Sequence, residues 1–312
     1  MTSDLPADHR AGPLTLTGER TLPGIWHENY WLRRHQAAYE VFAPVCMGAR
    51  VLEAGCGEGY GAARLSAEGA RVVIGVDLDV PTLSHILATY PTVFPVRANL
   101  VLLPCADASL DVVVSAQTIE HLWDQDRFLR ECARVLHGGG LLLLSTPNRR
   151  TFPPGNVFHS RELDEDELVD LVRPHLDIVR VAAIDHGPRL REWADSHGDV
   201  VAAQLAAPHP AWSDELSALV RSVSVDDFTV TNSVPDSETD SVDNSLDLLI
   251  TARRTQPATR RPSPPLSKSI MHSSEPRVSP LVSVARTEVD HAVVGAAASR
   301  LLPVRPRTGL RR

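Results

Sequence analysis

Four residues close together in the chain combine an acid with alternating glycines: Glu53, Gly55, Gly57 and Gly59. The apolar run 50–54 before the glycines is typical of a short buried strand, and a helical pattern follows them. Glycines at such a junction let backbone N–H groups approach a ligand at the N-terminus of the helix. The spacing therefore predicts a loop that binds a nucleotide-like cofactor.

A second acidic residue supports this prediction. Asp77 ends the apolar run that begins at Arg71, and it lies twenty-two positions after Gly55. A carboxylate there can accept both hydroxyls of a ribose. Dinucleotide-dependent dehydrogenases use the same combination, so these two signals leave the cofactor open. The acid at the first strand tip, Glu53, favours a ligand with an ammonium group and no phosphate, such as the methionine end of S-adenosylmethionine.

The order of these motifs resembles that of the class I S-adenosylmethionine-dependent methyltransferases over roughly residues 28 to 253. The resemblance implies an S-adenosylmethionine cofactor and an adenine contact after the third strand. At that position the family commonly has Asp, and Asn99 replaces it here; its side-chain carbonyl can accept the same hydrogen bond. Leu100 would present its backbone amide to the adenine ring, and Gln117 would lie at the cofactor's edge.

Three further residues are candidates for catalysis: Glu120, His121 and His159. Methyl transfer to a hydroxyl requires concerted removal of the hydroxyl proton, or a metal ion that polarises the oxygen. We expect His121 to be the base, Glu120 to orient it or to accept the proton itself, and His159 to supply a second imidazole.

A metal-dependent mechanism is an alternative. Small-RNA 2′-O-methyltransferases and some quinone-precursor O-methyltransferases hold a divalent ion with a Glu-x-x-Glu-His run and a later histidine. The matching run here begins with Gln117, which removes one charge from a site for a hard cation. A divalent metal is therefore possible but not favoured, and no metal ligand is assigned.

The elements that position these residues alternate along the chain. Strands are expected at 50–54, 71–77, 92–97, 110–115, 140–146, 176–184 and 246–252. Helical patterns lie between them at 30–42, 81–89, 126–136 and 163–171. This alternation predicts a doubly wound α/β domain with a mostly parallel, seven-stranded, Rossmann-like sheet. The family resemblance implies that the last strand is antiparallel, so the fold would close by Arg253.

Three regions stand outside the common core. We expect residues 1–27 to form an N-terminal extension to the methyltransferase domain at 28–253. An insertion at about 186–244 is longer than ordinary α/β connections, and we expect it to act as a lid over the acceptor or as an oligomer contact. The eight prolines of residues 254–312 and their lack of periodicity predict a disordered Pro/Arg/Ser-rich tail.

Charge and cysteine usage limit the partners. The tail carries eleven Lys and Arg against three acids, a net charge of +8, which leaves −16 for residues 1–253. Because an acidic body repels phosphate backbones, we expect no nucleic acid partner. The four cysteines show no paired spacing, and no segment has the pattern of a membrane span, so we expect a cytoplasmic protein. The oligomeric state stays open.

The acceptor is suggested by a finer resemblance. The segments 17–23, 28–35 and 186–191 are similar to those of an actinobacterial subfamily associated with methylglucose lipopolysaccharide synthesis, and a related subfamily methylates an oligosaccharide. The resemblance implies O-methylation of a glucose-containing oligo- or polysaccharide. Two alternatives stay open: a methyltransferase of a small molecule such as a quinone precursor, and a non-catalytic S-adenosylmethionine-binding regulator.

Overall fold

An eight-stranded sheet organises residues 14–232 and 242–255, the part of the chain that the computed structural model describes. Its strands are β1 (Arg50–Ala54), β2 (Val72–Asp77), β3 (Val93–Arg97), β4 (Leu110–Ala116), β5 (Leu136–Pro147), β6 (Asp177–His186), β7 (Phe228–Asn232) and β8 (Asp247–Arg253). The strand order is β3-β2-β1-β4-β5-β8-β6-β7. β1 to β5 are mutually parallel, whereas β8 pairs antiparallel with both β5 and β6.

Helices cover both faces of this sheet. They are α1 (Asn29–Phe42), α2 (Tyr60–Ala67), α3 (Val80–Thr89), α4 (Gln125–Val135), α5 (Glu165–Val172), α6 (Pro188–His197), α7 (Val200–Leu205) and α8 (Asp214–Ser222). Helix α5 begins with a capping box, in which Asp164 accepts from the Glu167 amide and Glu167 accepts from the Asp164 amide. The box satisfies two amides that a helix start otherwise leaves unpaired.

The central strands are apolar on both sides because successive side chains point to opposite faces. Val51, Val112 and Val114 enter the core that packs against α1, α2 and α3. Leu52 and Val113 enter the other core, which packs against α4 and α5. Continuous apolar runs rather than alternating ones are what a parallel sheet buried on both faces requires.

The predicted fold class is confirmed: the sheet is mostly parallel, it is covered on both faces, and its last strand in sequence is antiparallel. The described sheet has one strand more than the seven expected. The additional strand, β7, pairs antiparallel with β6 at the sheet edge. It comes from the insertion, where the short run Phe-Thr-Val-Thr-Asn has no apolar stretch long enough to predict a strand.

The insertion otherwise forms α6, α7 and α8. Asn29 of α1 donates from Nδ2 to the carbonyl oxygens of Val220 and Val223, at 2.9 and 2.8 Å, and so fixes α8 beside α1. The predicted disordered tail lies outside the described residues, apart from Arg254 and Thr255. Within the described ranges, every helix is too short or too polar to cross a bilayer.

Candidate functional site

A cavity of about 620 Å³ opens at the carboxyl ends of the central parallel strands. Gly55 follows β1, Gln117 follows β4 and Pro147 ends β5, and all three border this cavity. The strand order reverses between β1 and β4, which is where open α/β sheets bind ligands. We call this space the transfer cavity, because the predicted cofactor loop and catalytic residues surround it.

The glycine turn needs its glycines for two different reasons. Gly55 has a φ of +76°, and a Cβ there would collide with Thr118. Gly57 has a φ of +50°, but a Cβ there would meet no atom within 4 Å. Gly57 borders the transfer cavity, so its bare backbone is open to a ligand.

Asp77 holds the glycine turn from the neighbouring strand. Its Oδ2 accepts from the Gly57 amide at 3.0 Å, and its Oδ1 accepts from the Asp79 amide at 2.9 Å. Each oxygen keeps a further lone pair that can accept from a hydroxyl. Asp77 therefore combines support of the turn with the predicted capacity to bind a ribose.

Glu53 lies buried beneath the turn, with a side chain that accepts from the Tyr39 hydroxyl. Its other oxygen, Oε2, is buried and has no hydrogen-bond partner among the described residues. Burial raises the pKa of Glu53 to about 8. At that pKa the carboxyl group is largely protonated at pH 7 without a ligand, and a cationic group brought close to Oε2 would favour the ionised form.

Five of the eight predicted cofactor residues do not border the transfer cavity: Glu53, Asp77, Gly59, Asn99 and Leu100. Asn99 is exposed, and its Oδ1 accepts from the Val101 amide at 3.1 Å in a turn. Leu100 is buried in the core. Gly59, with a φ of +102°, packs against Ile86 at the start of α2. Their contacts with a cofactor stay predictions.

Gln117 stands at the cavity edge in a left-handed conformation, with a φ of +49°. Such a φ is uncommon for a side-chain-bearing residue and is concentrated at functional sites. The Gln117 amide donates to the Ser145 carbonyl at 2.9 Å, and Nε2 donates to Asp247 Oδ1 at 3.2 Å. These bonds tie the end of β4 to β5 and β8.

His121 borders the transfer cavity and has one ring nitrogen in a hydrogen bond. Its Nδ1 lies 3.0 Å from the Phe158 carbonyl oxygen. A carbonyl can only accept, so Nδ1 carries the proton and Nε2 keeps a lone pair. Burial lowers the pKa of His121, and the neighbouring His159 lowers it further, while the Phe158 carbonyl opposes this. His121 is therefore neutral at pH 7 and can accept a proton at Nε2.

His159 has both ring nitrogens engaged. The Phe158 amide donates to Asn156 Oδ1, which turns Asn156 Nδ2 toward His159 Nε2 at 3.1 Å. His159 Nε2 must then accept, and Nδ1 donates to Glu162 Oε1 at 2.7 Å. The His159 ring meets the His121 ring edge-on, with centroids 4.9 Å apart. His159 thus packs against the candidate base and has no free nitrogen of its own.

Glu120 is buried, and its Oε2 accepts from the Thr146 hydroxyl at 3.0 Å. Burial raises its pKa to about 8, so Glu120 is largely protonated at pH 7. Its Oε1 lies 4.0 Å from His121 Nε2, too far for a hydrogen bond. The group that orients His121 is the Phe158 carbonyl rather than Glu120.

Glu120, His121 and His159 nonetheless form a cluster. Each offers one atom that could bind a metal ion, and these three atoms lie within 4.8 Å of one another. A metal on Nε2 of His159 would have to displace the Asn156 amide, and a metal on Nδ1 would have to displace Glu162.

Comparison with known proteins shows the family of the chain. The family profile of a methyltransferase domain matches residues 52–144. A probable S-adenosylmethionine-dependent methyltransferase of Mycobacterium tuberculosis is 49% identical over 260 residues, covering 80% of this chain and 93% of that protein. The chain belongs to the S-adenosylmethionine-dependent methyltransferases. A protein of Mycolicibacterium smegmatis that is also described as a probable S-adenosylmethionine-dependent methyltransferase is 48% identical over 250 residues, covering 77% of this chain and 95% of that protein.

More distant similarities agree with the fold. A ubiquinone biosynthesis O-methyltransferase of Paracidovorax citrulli is 28% identical over 183 residues, covering 51% of this chain and 76% of that protein. The crystal structure of an S-adenosylmethionine-dependent methyltransferase from Thermotoga maritima superposes with a TM-score of 0.50 at 20% identity, covering 74% of this chain and 92% of that one. The cofactor of the methyltransferase is S-adenosylmethionine.

The residues present suit this cofactor. Gly57 offers open backbone at the transfer cavity, and the unpartnered Oε2 of Glu53 lies beneath the same turn. Asp77 retains lone pairs beside them. A cationic amino group and a ribose are the two parts of S-adenosylmethionine that such acceptors suit.

The sequence prediction missed residues of the N-terminal segment. Residues 18–21, placed in the extension at 1–27, border the transfer cavity. Arg20 donates from Nη1 to Asp79 Oδ2 at 2.7 Å, just beyond the end of β2. The segment 17–23 carries part of the subfamily resemblance, but nothing in its spacing indicates that it folds against the cofactor loop.

Proposed function

We propose that the methyltransferase O-methylates a glucose-containing oligo- or polysaccharide, with His121 as the base that removes the hydroxyl proton. The observation that carries this proposal is the orientation of His121. Its protonated Nδ1 is fixed on the Phe158 carbonyl, its Nε2 has no hydrogen-bond partner among the described residues, and the residue borders the cavity that contains the glycine turn. That arrangement suits proton removal from an acceptor held between the imidazole and the cofactor.

Glu53, Gly57 and Asp77 are the residues that would hold S-adenosylmethionine. When bound, the cofactor supplies a methyl group on a positively charged sulfur. The protein's task is to align the acceptor oxygen, exclude water and receive the proton that the hydroxyl loses. His121 Nε2 receives that proton, and the Phe158 carbonyl then stabilises the N–H of the charged ring.

A saccharide acceptor is supported by the resemblance of segments 17–23, 28–35 and 186–191 and by the mixed polar and apolar lining of the site. The transfer cavity is bordered by hydrogen-bonding side chains such as Glu28 and His35 and by the aromatic rings of Trp31 and Phe152. Sugars present hydroxyl edges and apolar C–H faces, which suit such a mixture. The names of the mycobacterial relatives specify no acceptor.

The test is a panel of glucans, quinols and RNA incubated with S-adenosylmethionine and the full-length protein, with gain in mass as the measurement. We expect methylation of glucans only, undiminished in EDTA. Methylation of quinols instead would support the second candidate function, which the similarity to a ubiquinone biosynthesis O-methyltransferase favours. Activity lost in EDTA and restored by Mg²⁺ or Mn²⁺ would assign Glu120, His121 and His159 to a metal ion instead.

A non-catalytic regulator would bind S-adenosylmethionine and methylate none of these compounds. It would also tolerate replacement of His121. The matched control for His121→Ala is His137→Ala, because His137 is a partly exposed histidine that pairs with Asp111 at the opposite end of β4. Loss of transfer in the first variant alone would exclude the regulator.

A further inference from the structure

We propose that a second cavity beside the transfer cavity binds the unreactive part of the acceptor, and that it is built for a neutral, polyhydroxylated ligand such as a further sugar unit. This proposal rests on the proposed function and deepens it. The second cavity has a volume of about 250 Å³. Six of the residues that border it set its charge and its polar and aromatic surface: Arg34, Phe152, Asp185, His186, Arg191 and Asp199.

The two cavities share a wall. Arg34, Phe152 and Pro153 border both of them. An acceptor that places one hydroxyl beside His121 and is longer than a single unit can therefore extend past Phe152 into the second cavity. A short acceptor would occupy the transfer cavity alone.

The charges of the second cavity nearly cancel. Arg34 is buried and bonded through Nε and Nη2 to both carboxylate oxygens of Asp247, at 2.7 and 2.6 Å. Asp247 therefore neutralises Arg34. The charged side chains that remain at the cavity are Arg191, Asp185 and Asp199, which together carry a net charge of −1. An anionic acceptor would be repelled, whereas hydroxyl groups both donate and accept and can use groups of either sign.

The charged groups are also available to a ligand. Among the described residues the Arg191 guanidinium makes no hydrogen bond or close ion pair, although it lies near enough to Asp185 to oppose the rise in the pKa of that carboxyl that burial causes. Asp185 accepts only a long bond, 3.3 Å, from the Thr231 hydroxyl. Asp199 uses Oδ1 to cap α7 through the Ala202 amide at 2.7 Å, which leaves Oδ2 open. Guanidinium and carboxylate groups with spare capacity are suited to the vicinal hydroxyls of a sugar.

An aromatic surface stands at the entrance. The Phe152 ring lies between the Arg34 guanidinium, 6.0 Å from its centroid, and the His159 ring, 5.1 Å away. These contacts fix the ring at the shared wall. An apolar ring held in this way can pack against the C–H face of a sugar while the hydroxyls reach the polar groups.

The insertion supplies part of this cavity. Arg191 lies on α6 and Asp199 caps α7, whereas Asp185 and His186 end β6. His186 Nε2 is itself held 2.7 Å from the Tyr30 hydroxyl of α1. The extra length between β6 and β8 thus adds binding surface next to the transfer cavity, which gives the insertion a function in acceptor selection.

The test compares glucose with maltohexaose and cellohexaose, using Arg191→Gln and Asp185→Asn in the full-length protein. We expect each variant to raise KM for a hexasaccharide about tenfold, the effect of one charged hydrogen bond, with KM for glucose and affinity for S-adenosylmethionine unchanged. Glu192→Gln is the control, because Glu192 is exposed on the same helix and does not border the cavity. It should leave every constant unchanged.

If a hexasaccharide is methylated with the same KM by the wild type and both variants, the proposal is overturned while the proposed function stands. If no glucan is methylated, the proposed function fails, and calorimetry of hexasaccharide binding to protein loaded with S-adenosylhomocysteine decides the proposal. Binding that Arg191→Gln weakens would support it. Absence of binding, or equal binding by the variant, would overturn it.

Discussion

At the scale of single residues, the account depends on which atoms remain free for ligands. His121 Nε2 and Glu53 Oε2 are such atoms. His121 borders the transfer cavity, and Glu53 lies beneath the glycine turn. Asp77 differs from them, since it already holds the Gly57 amide. Its replacement would remove two expected ribose contacts and the support of the turn together.

Asp77→Ala should therefore weaken S-adenosylmethionine binding by about 2 to 4 kcal/mol, the contribution of two hydrogen bonds to a charged group. Isothermal calorimetry measures this directly. Asp195→Ala is the control, because Asp195 is exposed on α6 away from the turn. An unchanged dissociation constant in Asp77→Ala would show that the ribose binds elsewhere.

The sequence specified some of these residues better than others. Glu53, Gly55 and Gly57 were predictable because a strand, a turn and a helix follow one another locally. The Phe158 carbonyl that orients His121 was not, because any residue type supplies a carbonyl and Phe158 lies 37 positions away. The engagement of His159 by Asn156 and Glu162 depends likewise on loop geometry after β5, which has no periodic signal.

At the scale of elements, the N-terminal segment closes one side of the transfer cavity. Arg20 reaches Asp79 at 2.7 Å and also donates to the Thr82 hydroxyl, so the segment is tied to the start of α3. The other end of the segment continues into α1, whose residues Trp31, Arg34 and His35 border the same cavity. Loss of the Arg20 contacts would loosen the segment, which the hydrogen bond between the Thr21 and Tyr60 hydroxyls also holds, without altering the glycine turn.

Arg20→Ala should raise the dissociation constant of S-adenosylmethionine about tenfold, mainly through faster dissociation, because one charged hydrogen bond network holds the segment in place. Stopped-flow measurement of cofactor release separates the two rate constants. Arg173→Ala, which removes an exposed arginine paired only with Asp170, should change neither rate. Equal release rates in wild type and Arg20→Ala would contradict a closing role for the segment.

The core strands and the four predicted helical patterns were predictable because apolar runs and period-3.6 patterns are local properties. Structure in the insertion was not, since α7 and β7 are short and α6 buries only Leu190, so none of them has a clear apolar pattern of its own. The same is true of the segment around Arg20. The insertion and the N-terminal segment border the parts of the two cavities that the sequence did not predict.

At the scale of the whole molecule, buried ionisable groups set the dependence of stability on pH. Burial raises the pKa of Glu53 and of Glu120 to about 8, and it lowers the pKa of His35 and of His186 to about 4. The folded glutamates hold protons that the unfolded chain has lost above pH 4.5, so they favour unfolding as pH rises to 8. Between about pH 4 and pH 6.5 the two histidines raise stability as pH rises, because there the unfolded chain binds protons that the folded protein does not. Above pH 6.5 they have little effect.

The cofactor-free methyltransferase should therefore lose stability between pH 6.5 and pH 8, by up to about 2 kcal/mol for each glutamate. Urea denaturation at the two pH values measures this change. The double variant Glu53→Gln, Glu120→Gln cannot ionise at either position and should show a smaller loss. An identical loss in the wild type and the double variant would mean that these carboxyl groups are not the cause.

The central claim is that His121 accepts the proton of a hydroxyl acceptor, and the most direct measurement is turnover by His121→Ala as a function of pH. Because the base must be neutral, wild-type turnover should fall as pH drops below the lowered pKa of His121. His121→Ala should reduce turnover roughly 10² to 10⁴-fold and abolish this acid limb, with cofactor affinity unchanged. Unchanged turnover with the acid limb still present in His121→Ala would contradict the account.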